Sequence, residues 1–278
     1  MHLETIETFL TVLEEGSLTR TADRLHLSPS TVTTRLHTLE RELGLKLVHR
    51  HKLRATPTAA GLRFKPNAET MMGLWSQSKQ EAALPNAVTA VGNLGVHADL
   101  WPTRGRQLFT FLRETEPTMA LGISVGGPVD LVRWLATGRT DLAITHSPAV
   151  NQGQTSYELA PDHLVLVSTQ KDGPIAFDPG YVLVDHGVEF GRQHTEAYAD
   201  ATVARVSFNT SQLALDHILA HGGSAYVPLK LVSALLQQSV VFRLAAVEFD
   251  RPTWLVVSDG ASAEWGWLDK ALDVLRGS

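Results

Sequence analysis

The chain has 278 residues, of which 44% are hydrophobic and 19% charged, and its formal net charge is −5. This composition is typical of a folded protein with more than one domain and excludes a mainly disordered chain. Because the sequence contains no cysteine, disulfides, thiolate metal ligands and cysteine nucleophiles are excluded. The sequence has no apolar run of membrane-spanning length, and its start lacks the features of a secretory signal, so we expect a cytoplasmic protein.

Charge is distributed unevenly along the sequence. Residues 1–87 carry 11 Lys and Arg against 9 Asp and Glu, whereas the rest of the chain is acidic overall. Residues 35–65 contain eight basic residues and only two acidic ones, Glu40 and Glu42. A local positive charge of this size is typical of a surface that binds phosphate, although a solvated basic surface would have the same composition.

The first 44 residues predict three helices. Apolar residues recur at three- and four-residue steps from Leu3 onward, which is typical of an amphipathic helix. Ser17 can cap a short second helix, and Ser28 followed by Pro29 indicates a third helix with a first-turn proline. Gly44 ends this third helix.

A short helix, a tight turn and a longer helix together predict a helix-turn-helix, whose second helix enters the major groove of DNA. The residues outside its buried stripe are small hydroxyl residues and an arginine, which can contact bases and phosphates. The predicted DNA-binding residues of this segment are Ser28, Ser30, Thr31, Thr33, Thr34 and Arg35. A three-helix domain without a nucleic-acid role would show the same apolar spacing.

The segment LKLVHRHKLRAT, residues 45–56, predicts a two-stranded β-wing with a basic tip. Arg50, Lys52 and Arg54 would then lie against the DNA backbone beside the groove. Together with the helices, this segment predicts an N-terminal winged helix-turn-helix domain.

A long helix over about residues 57–84 is predicted to follow the wing. Ala68, Met71 and Trp75 form an apolar stripe along it that has no obvious partner within the chain. We therefore expect the helix to pair with a second copy of the chain. Pro66 is expected to kink this helix or split it.

The segment FLTVLEEGSLTRTADRLHLSPSTVTTRLHTLERELGLKLVHR, followed by TPTAAG, resembles the DNA-binding domain of the LysR-type transcriptional regulators. The GSL start, the Ala-x-x-Leu helix, the LE-x-x-LG stop and the T-x-A-G helix opening occur in the family's order and span nearly all of residues 1–65. Pro29 departs from the family at a position where many members carry a polar base-contacting residue, often glutamine.

After residue 87 the pattern changes to short apolar strands separated by helices, which predicts an α/β fold. The predicted strands are 87–95, 119–127, 141–145, 163–169, 181–185, 202–208, 224–228 and 253–258, and the predicted helices are 101–117, 129–138, 211–221, 229–238 and 264–276.

The LysR resemblance implies that this region is an effector domain similar to periplasmic binding proteins, with two α/β lobes linked by crossing strands and a ligand cleft between them. DLAIT and GGSAYVP match weaker elements of the family, and GVHADLW and FGRQHTEAY resemble a subgroup related to a repressor of flagellar genes. The expected domains are 1–57 for DNA binding, 58–87 for dimerisation and 88–278 for the effector, with lobe one at 88–161 and 250–278 and lobe two at 162–249.

In such a fold the cleft lies at the carboxyl ends of strands, where helix N-termini offer free N–H groups. The predicted effector-binding residues are Asp99, Gly127, Thr145, Asn209 and Thr210. Each of them could equally be an ordinary helix cap. Asp99 in the cleft would repel a carboxylate, which favours a polar or cationic group on the effector. Trp101 could stack on a ligand or be a packed aromatic residue.

Two other functions are compatible with parts of the sequence. An enzyme is disfavoured because no Gly-x-Ser-x-Gly, P-loop, dinucleotide or His-Glu-x-x-His motif occurs, so we predict no catalytic residue, cofactor or metal. His217 and His221 could both contact a metal, but no third ligand is evident. A small-molecule binding protein that has lost DNA binding would share the lobes.

The predicted partners are a double-stranded DNA operator, a small-molecule effector and further copies of the chain, and no membrane. The LysR resemblance implies that these copies form a homodimer or a homotetramer.

Overall fold

The computed structural model describes residues 2–50, 54–85, 87–149, 151–173, 180–198, 204–262 and 265–277. The chain divides into two compact units, Met1–Val88 with Arg133–Thr140, and Thr89–Val132 with Asp141–Ser278. No helix within these described ranges is long and apolar enough to cross a membrane.

The first unit begins with three short helices whose ends are those that the sequence predicts. They are α1 (Leu3–Glu15), α2 (Leu18–Leu25) and α3 (Pro29–Leu43). The hydroxyl of Ser17 accepts the N–H of Arg20, and the hydroxyl of Ser28 accepts the N–H of Thr31 at 3.1 Å. His26 adopts a left-handed conformation with φ 55°, which makes the turn between α2 and α3 tight.

A two-stranded antiparallel hairpin and a long helix complete this unit: β1 (Val48–Arg50), β2 (Ala55–Pro57) and α4 (Ala59–Ala82). α4 continues through Pro66 and is not split there. The hydroxyl of Thr58 donates to the carbonyl of Lys46 and accepts the N–H of Gly61. A Cβ on Gly61 would lie 2.1 Å from the carbonyl oxygen of Leu47, so only glycine permits this packing of α4 on the wing.

Part of the apolar stripe on α4 has a partner within its own chain, contrary to the prediction. Ala68 is fully buried, and Met71 packs against the core that α1, α3 and the wing share. Leu62, Leu74 and Trp75 remain 59%, 48% and 46% exposed. Of the predicted stripe only Trp75 is exposed, and Leu62 and Leu74 add exposed apolar surface that was not predicted.

The second unit is built on one mixed sheet. Its strands are β3 (Ala90–His97), β4 (Met119–Gly126), β5 (Leu142–Thr145), β6 (Gln154–Ser168), β7 (Tyr181–Val184), β8 (Val206–Phe208), β9 (Ser224–Pro228), β10 (Phe242–Arg243) and β11 (Phe249–Ser258). The strand order is β4-β3-β5-β11-β6-β9-β7-β8, and β10 pairs with β6.

Seven helices are described in this region: α5 (Arg106–Thr115), α6 (Pro128–Ala136), α7 (Val188–Ala197), α8 (Ser211–His221), α9 (Leu229–Gln237), α10 (Asp259–Ser262) and α11 (Leu268–Arg276). The predicted helix over 101–117 is α-helical only from Arg106, because a 3₁₀ turn at Ala98–Leu100 and a π-helical turn at Trp101–Gly105 precede it. Trp101 packs against the neighbouring core, which favours the packed aromatic interpretation over a stacking role.

The sheet forms two lobes around two shared strands. In lobe one, β3, β4 and β5 are parallel and pack with α5 and α11; in lobe two, β7, β8 and β9 are parallel and pack with α7, α8 and α9. β6 and β11 pair antiparallel along their length and join the lobes. Both crossing strands are longer than the predicted 163–169 and 253–258, and α7 was not predicted.

Candidate nucleic-acid interface and effector site

The exposed start of α3 carries a cluster of hydroxyl groups. The hydroxyl oxygen of Ser28 lies 2.7 Å from that of Ser30 and 2.8 Å from that of Thr31. Ser28 caps the helix, so one of its acceptor positions is already used by a backbone N–H. The cluster therefore offers hydroxyl donors and acceptors at the end of the helix that enters DNA in this motif.

Further along α3, Thr33 and Thr34 donate their hydroxyl hydrogens to backbone carbonyls one turn earlier, those of Pro29 and Ser30, at 2.9 and 3.0 Å. These bonds fix the rotamers and leave the hydroxyl oxygens as acceptors and the methyl groups for apolar contact. Such groups can accept from a base amine or contact a thymine methyl.

Arg35 is held by an ion pair with Glu4 of α1. The side chain of Glu4 is 68% exposed and that of Arg35 is 24% exposed. A pair of this kind contributes little to stability, so it can open when a phosphate or base competes for the guanidinium.

A buried carboxylate connects α3 to the wing. Glu40 accepts the N–H groups of Leu47 and Val48 at 3.0 and 3.2 Å and pairs with Lys46 and Arg50 at 3.0 and 3.1 Å. Burial raises the pKa of Glu40, but the hydrogen bonds from Lys46 and from the two backbone N–H groups lower it more, so the net shift is downward. Glu40 therefore stays ionised and fixes the position of β1.

The three predicted wing residues differ in their surroundings. Arg50 has the structural contact with Glu40 just described. Arg54 is exposed and directly precedes β2. Lys52 lies outside the described residues. The DNA-binding roles of all nine predicted residues stay predictions.

The predicted effector residues lie where parallel strands end. β3 and β4 are in register at His97 and Gly126, and β5 ends alongside at Thr145. In lobe two, β7 and β8 are in register up to Val184 and Phe208.

Asp99 joins the two lobes. Its carboxylate accepts the N–H of Ser211, the first residue of α8, at 2.7 Å and the Nη1–H of Arg251 on β11 at 3.0 Å. Asp99 is 4% exposed. The predicted repulsion of a ligand carboxylate by Asp99 is not supported, because Arg251 compensates its charge.

Arg251 also contacts a buried histidine of lobe two. Its Nη1 lies 3.4 Å from Nδ1 of His186, and Nε2 of His186 lies 2.9 Å from the carbonyl oxygen of Tyr226. Arginine can only donate and a carbonyl can only accept, so His186 is neutral with its hydrogen on Nε2.

Two further histidines belong to this cluster. Nδ1 of His97 accepts the N–H of Asp99, and the rings of His97 and His146 pack edge to face with centroids 4.8 Å apart. Burial and then the charge of Arg251 lower the pKa of His97 to about 4, that of His186 to about 4 and that of His146 to about 2. All three histidines are therefore neutral near pH 7.

Three of the predicted effector residues lie at strand and helix ends, and two of them have local hydrogen bonds. The N–H of Gly127 donates to the carboxylate of Asp130, and the hydroxyl of Thr145 accepts the N–H of Ser147. Thr210 is the N-cap of α8 but makes no side-chain capping bond. Their roles in effector binding stay predictions.

The fifth predicted residue, Asn209, lines a pocket of about 580 Å³ in lobe two. The residues that line this pocket are Leu183, Val184, Asp185, Gly187, Phe190, Gly191, Ser207, Phe208 and Asn209. It lies at the ends of β7 and β8 and at the start of α7.

Sequence reasoning missed Arg251 and His186, which form the link between the lobes together with Asp99 and Ser211. A single arginine within the apolar strand FDRPTWLVV was the one available signal for Arg251. Its partner lies 152 residues away, and no local pattern indicates such a pairing.

The rings of His217 and His221 are 4.8 Å apart. Within the part of the chain that the structure describes, no group of three or more histidine or carboxylate side chains could hold a metal ion.

Removing the carboxylate of Asp99 should destabilise the second unit. We expect Asp99→Ala to lower the free energy of unfolding by about 3–5 kcal/mol, because Arg251 is left buried without its counter-charge. Urea unfolding of the full chain, followed by tryptophan fluorescence, measures this loss. Asp250 precedes Arg251 in sequence and its carboxylate is exposed, so Asp250→Ala should lower the free energy of unfolding by less than about 1 kcal/mol.

The double variant Asp99→Ala/Arg251→Met should be more stable than Asp99→Ala, because it removes the uncompensated charge. If the free energy of unfolding lost in the double variant equals the sum of the losses in Asp99→Ala and Arg251→Met, the pair does not stabilise the unit.

The buried histidines should make stability fall in mild acid. Their folded pKa values lie below the unfolded value of about 6.5, so the unfolded chain takes up protons first as the pH falls. Stability is complete above about pH 6.5 and declines toward pH 4, by at most about 1.4 kcal/mol per pH unit for each histidine. Urea unfolding at a series of pH values measures the slope.

His97→Gln should make this slope shallower than that of the wild type, because it removes one of the groups that the unfolded chain protonates first. An unchanged slope in His97→Gln would contradict the assignment of His97 as a neutral buried group.

Comparison with known proteins identifies the family. The family described as "Bacterial regulatory helix-turn-helix protein, lysR family" matches residues 3–62, and "LysR substrate binding domain" matches residues 93–264. The chain is 28% identical to the HTH-type transcriptional regulator HdfR of Yersinia enterocolitica over 239 aligned residues. This alignment covers 82% of this chain and 81% of that protein.

Solved structures share the fold. CbnR, a LysR family transcriptional regulator, is 17% identical with a TM-score of 0.70 over 100% of this chain and 99% of its own. Full-length LysG from Corynebacterium glutamicum with bound effector Arg is 20% identical with a TM-score of 0.53, over 100% of this chain and 97% of its own. The predicted family is confirmed. The chain belongs to the LysR family of DNA-binding transcriptional regulators, with an N-terminal helix-turn-helix domain and a C-terminal effector-binding domain.

Proposed function

We propose that this regulator binds a double-stranded DNA operator through α3 and the wing, and that a small effector bound between the lobes alters this binding. The observation that carries the proposal is the link between lobes through Asp99, because a ligand that enters there must change a contact of both lobes. A ligand shifts such an arrangement only through unequal affinity for its two states, typically by about 1–3 kcal/mol.

The DNA contacts follow from what each side chain can do. Ser30, Thr33 and Thr34 present hydroxyl and methyl groups for base edges. Arg54 is exposed and suited to a phosphate, and Arg35 reaches DNA once its pair with Glu4 opens. Ser28, Thr31, Arg50 and Lys52 complete the proposed set.

The regulator is also proposed to act as a homodimer or homotetramer. Leu62, Leu74 and Trp75 leave apolar surface exposed on a 24-residue helix, and a second copy of α4 would cover it. A two-fold dimer presents two recognition helices to two half-sites, which raises both affinity and specificity.

The proposed effector residues are Gly127, Thr145, Asn209 and Thr210, with Asp99 as the residue that positions the lobes. The proposed domains are 1–57, 58–87 and 88–278, with lobe one at 88–161 and 250–278 and lobe two at 162–249. A regulator of this kind is not an enzyme and acts in the cytoplasm beside its operator.

DNA binding should depend on salt and on separate phosphate and base contacts. Arg54→Gln should weaken binding to all sequences alike and reduce the salt slope by about one unit, because it removes one phosphate contact. Thr34→Val should instead change the preference among operators by about 1–3 kcal/mol. Fluorescence anisotropy on duplexes selected from a random library, at several salt concentrations, measures both effects.

Arg113→Gln, at an exposed arginine on α5, is the matched control and should leave the slope unchanged. Wild-type affinity that does not fall with salt would remove the proposal of DNA binding through this surface.

The full chain should be a dimer or a tetramer at micromolar concentration. Trp75→Glu should shift this equilibrium toward monomer, because it places a charge in the proposed contact between two α4 helices. Light scattering after size exclusion measures the mass. Val247→Glu replaces another exposed apolar residue and should leave the mass unchanged; a monomeric wild type would be the contrary result.

A further inference from the structure

The pocket of lobe two has the size of a small-molecule site. Its volume of about 580 Å³ falls within the range of about 300–1,000 Å³ that is usual for such sites. All of its lining residues come from lobe two, at the ends of β7 and β8 and in the first turn of α7. The described side chains that a ligand would contact here therefore all belong to lobe two.

The wall is mostly apolar and its charged group is a carboxylate. Phe190 and Phe208 supply two aromatic rings, and Asp185, Ser207 and Asn209 supply the polar side chains. None of the described residues that line the pocket carries a positive charge. A ligand with an apolar body and a hydrogen-bond donor or a cation at one end matches this lining.

Asp185 is exposed and open to such a cation. One of its oxygens accepts the N–H of Gly187 at 3.0 Å. The neighbouring carboxylates are compensated, because Glu189 pairs with Arg192 and Asp99 pairs with Arg251. Asp185 is the negative charge among the described residues that line the pocket, and the positive charge of buried Arg251 also acts on it.

Gly191 keeps part of this space open. A Cβ added at Gly191 would meet no atom within 4 Å, so packing does not require glycine there. Its φ is not positive, unlike that of Gly187, so the backbone does not require glycine either. Glycine within a helix is destabilising relative to alanine. Gly191 lines the pocket, and a side chain added there has open space to occupy.

We propose that this pocket binds the apolar body of an amphipathic organic cation, whose ammonium group pairs with Asp185, and that Gly191 leaves room for that body. This inference rests on the proposed function, since the cation would be the effector or the part of it that lobe two recognises. Ser207 and Asn209 can accept the remaining ammonium hydrogens. A carboxylate of the same shape is repelled by Asp185, and the described lining residues offer it no cation to pair with.

Three probes of similar shape test the ligand class on the full-length protein: phenethylamine, phenethyl alcohol and hydrocinnamate. Isothermal titration at about neutral pH should show that the amine binds at least tenfold more tightly than the alcohol, which corresponds to about 1.4 kcal/mol. The carboxylate should bind more weakly than the alcohol.

Two variants test the residues. Asp185→Asn should weaken binding of the amine at least tenfold and leave binding of the alcohol unchanged, because only the charge interaction is lost. Gly191→Leu should weaken binding of both the amine and the alcohol at least tenfold, because the leucine side chain fills part of the pocket. Its Tm should be equal to or above that of the wild type, since leucine favours a helix, and this separates pocket filling from misfolding.

Matched controls lie outside the pocket. Asp216→Asn removes an exposed carboxylate on α8, and Gly260→Leu adds a side chain at another glycine with open space around it. Both controls should bind the amine within twofold of the wild type.

The inference is overturned if no probe binds at millimolar concentration, if hydrocinnamate binds as tightly as the amine, or if Gly191→Leu retains amine binding with an intact fold. Operator binding by the unliganded wild type is measured separately. Selective DNA binding without amine binding would overturn only this inference, whereas loss of selective DNA binding would overturn the proposed function.

Discussion

The carboxylate of Asp99 has lost nearly all contact with water, and a buried charge is tolerated only where other groups replace that water. Here the guanidinium of Arg251 and the N–H of Ser211 do so. One partner lies on a crossing strand and the other begins a helix of lobe two, so moving the lobes apart would separate Asp99 from Ser211. A ligand that opens the domain must therefore supply contacts that replace the hydrogen bond between Asp99 and Ser211.

The same arrangement sets the charge state around the cleft. Because Arg251 is fixed beside Asp99, its positive charge also acts on the three nearby histidines and, after burial, is the second cause of their low pKa values. The buried cluster is therefore neutral overall, with one positive and one negative group. The charge that a ligand contacts is instead that of Asp185, which is exposed and directly follows β7.

Local features of the fold could be predicted from sequence, and long-range ones could not. Ser17, Ser28 and Pro29 act within a single turn, so their positions mark the helix starts directly. α7 was missed because Gly191 and several polar residues hide its apolar stripe. The pairing of Asp99 with Arg251 depends on the strand order, which the sequence does not display. Asn209 could be found because it directly follows a strand, but the pocket around it could not.

Both units of the chain use a buried carboxylate in the same way. Glu40 accepts two backbone N–H groups and pairs with Lys46 and Arg50, much as Asp99 accepts one backbone N–H and pairs with Arg251. In each case the carboxylate joins elements that local hydrogen bonds alone would leave separate. The ion pair with Glu40 partly compensates the charge of Arg50 within the protein, which leaves less of that charge to attract DNA. Arg54, which is exposed, therefore has more of its charge available to a phosphate than Arg50 does.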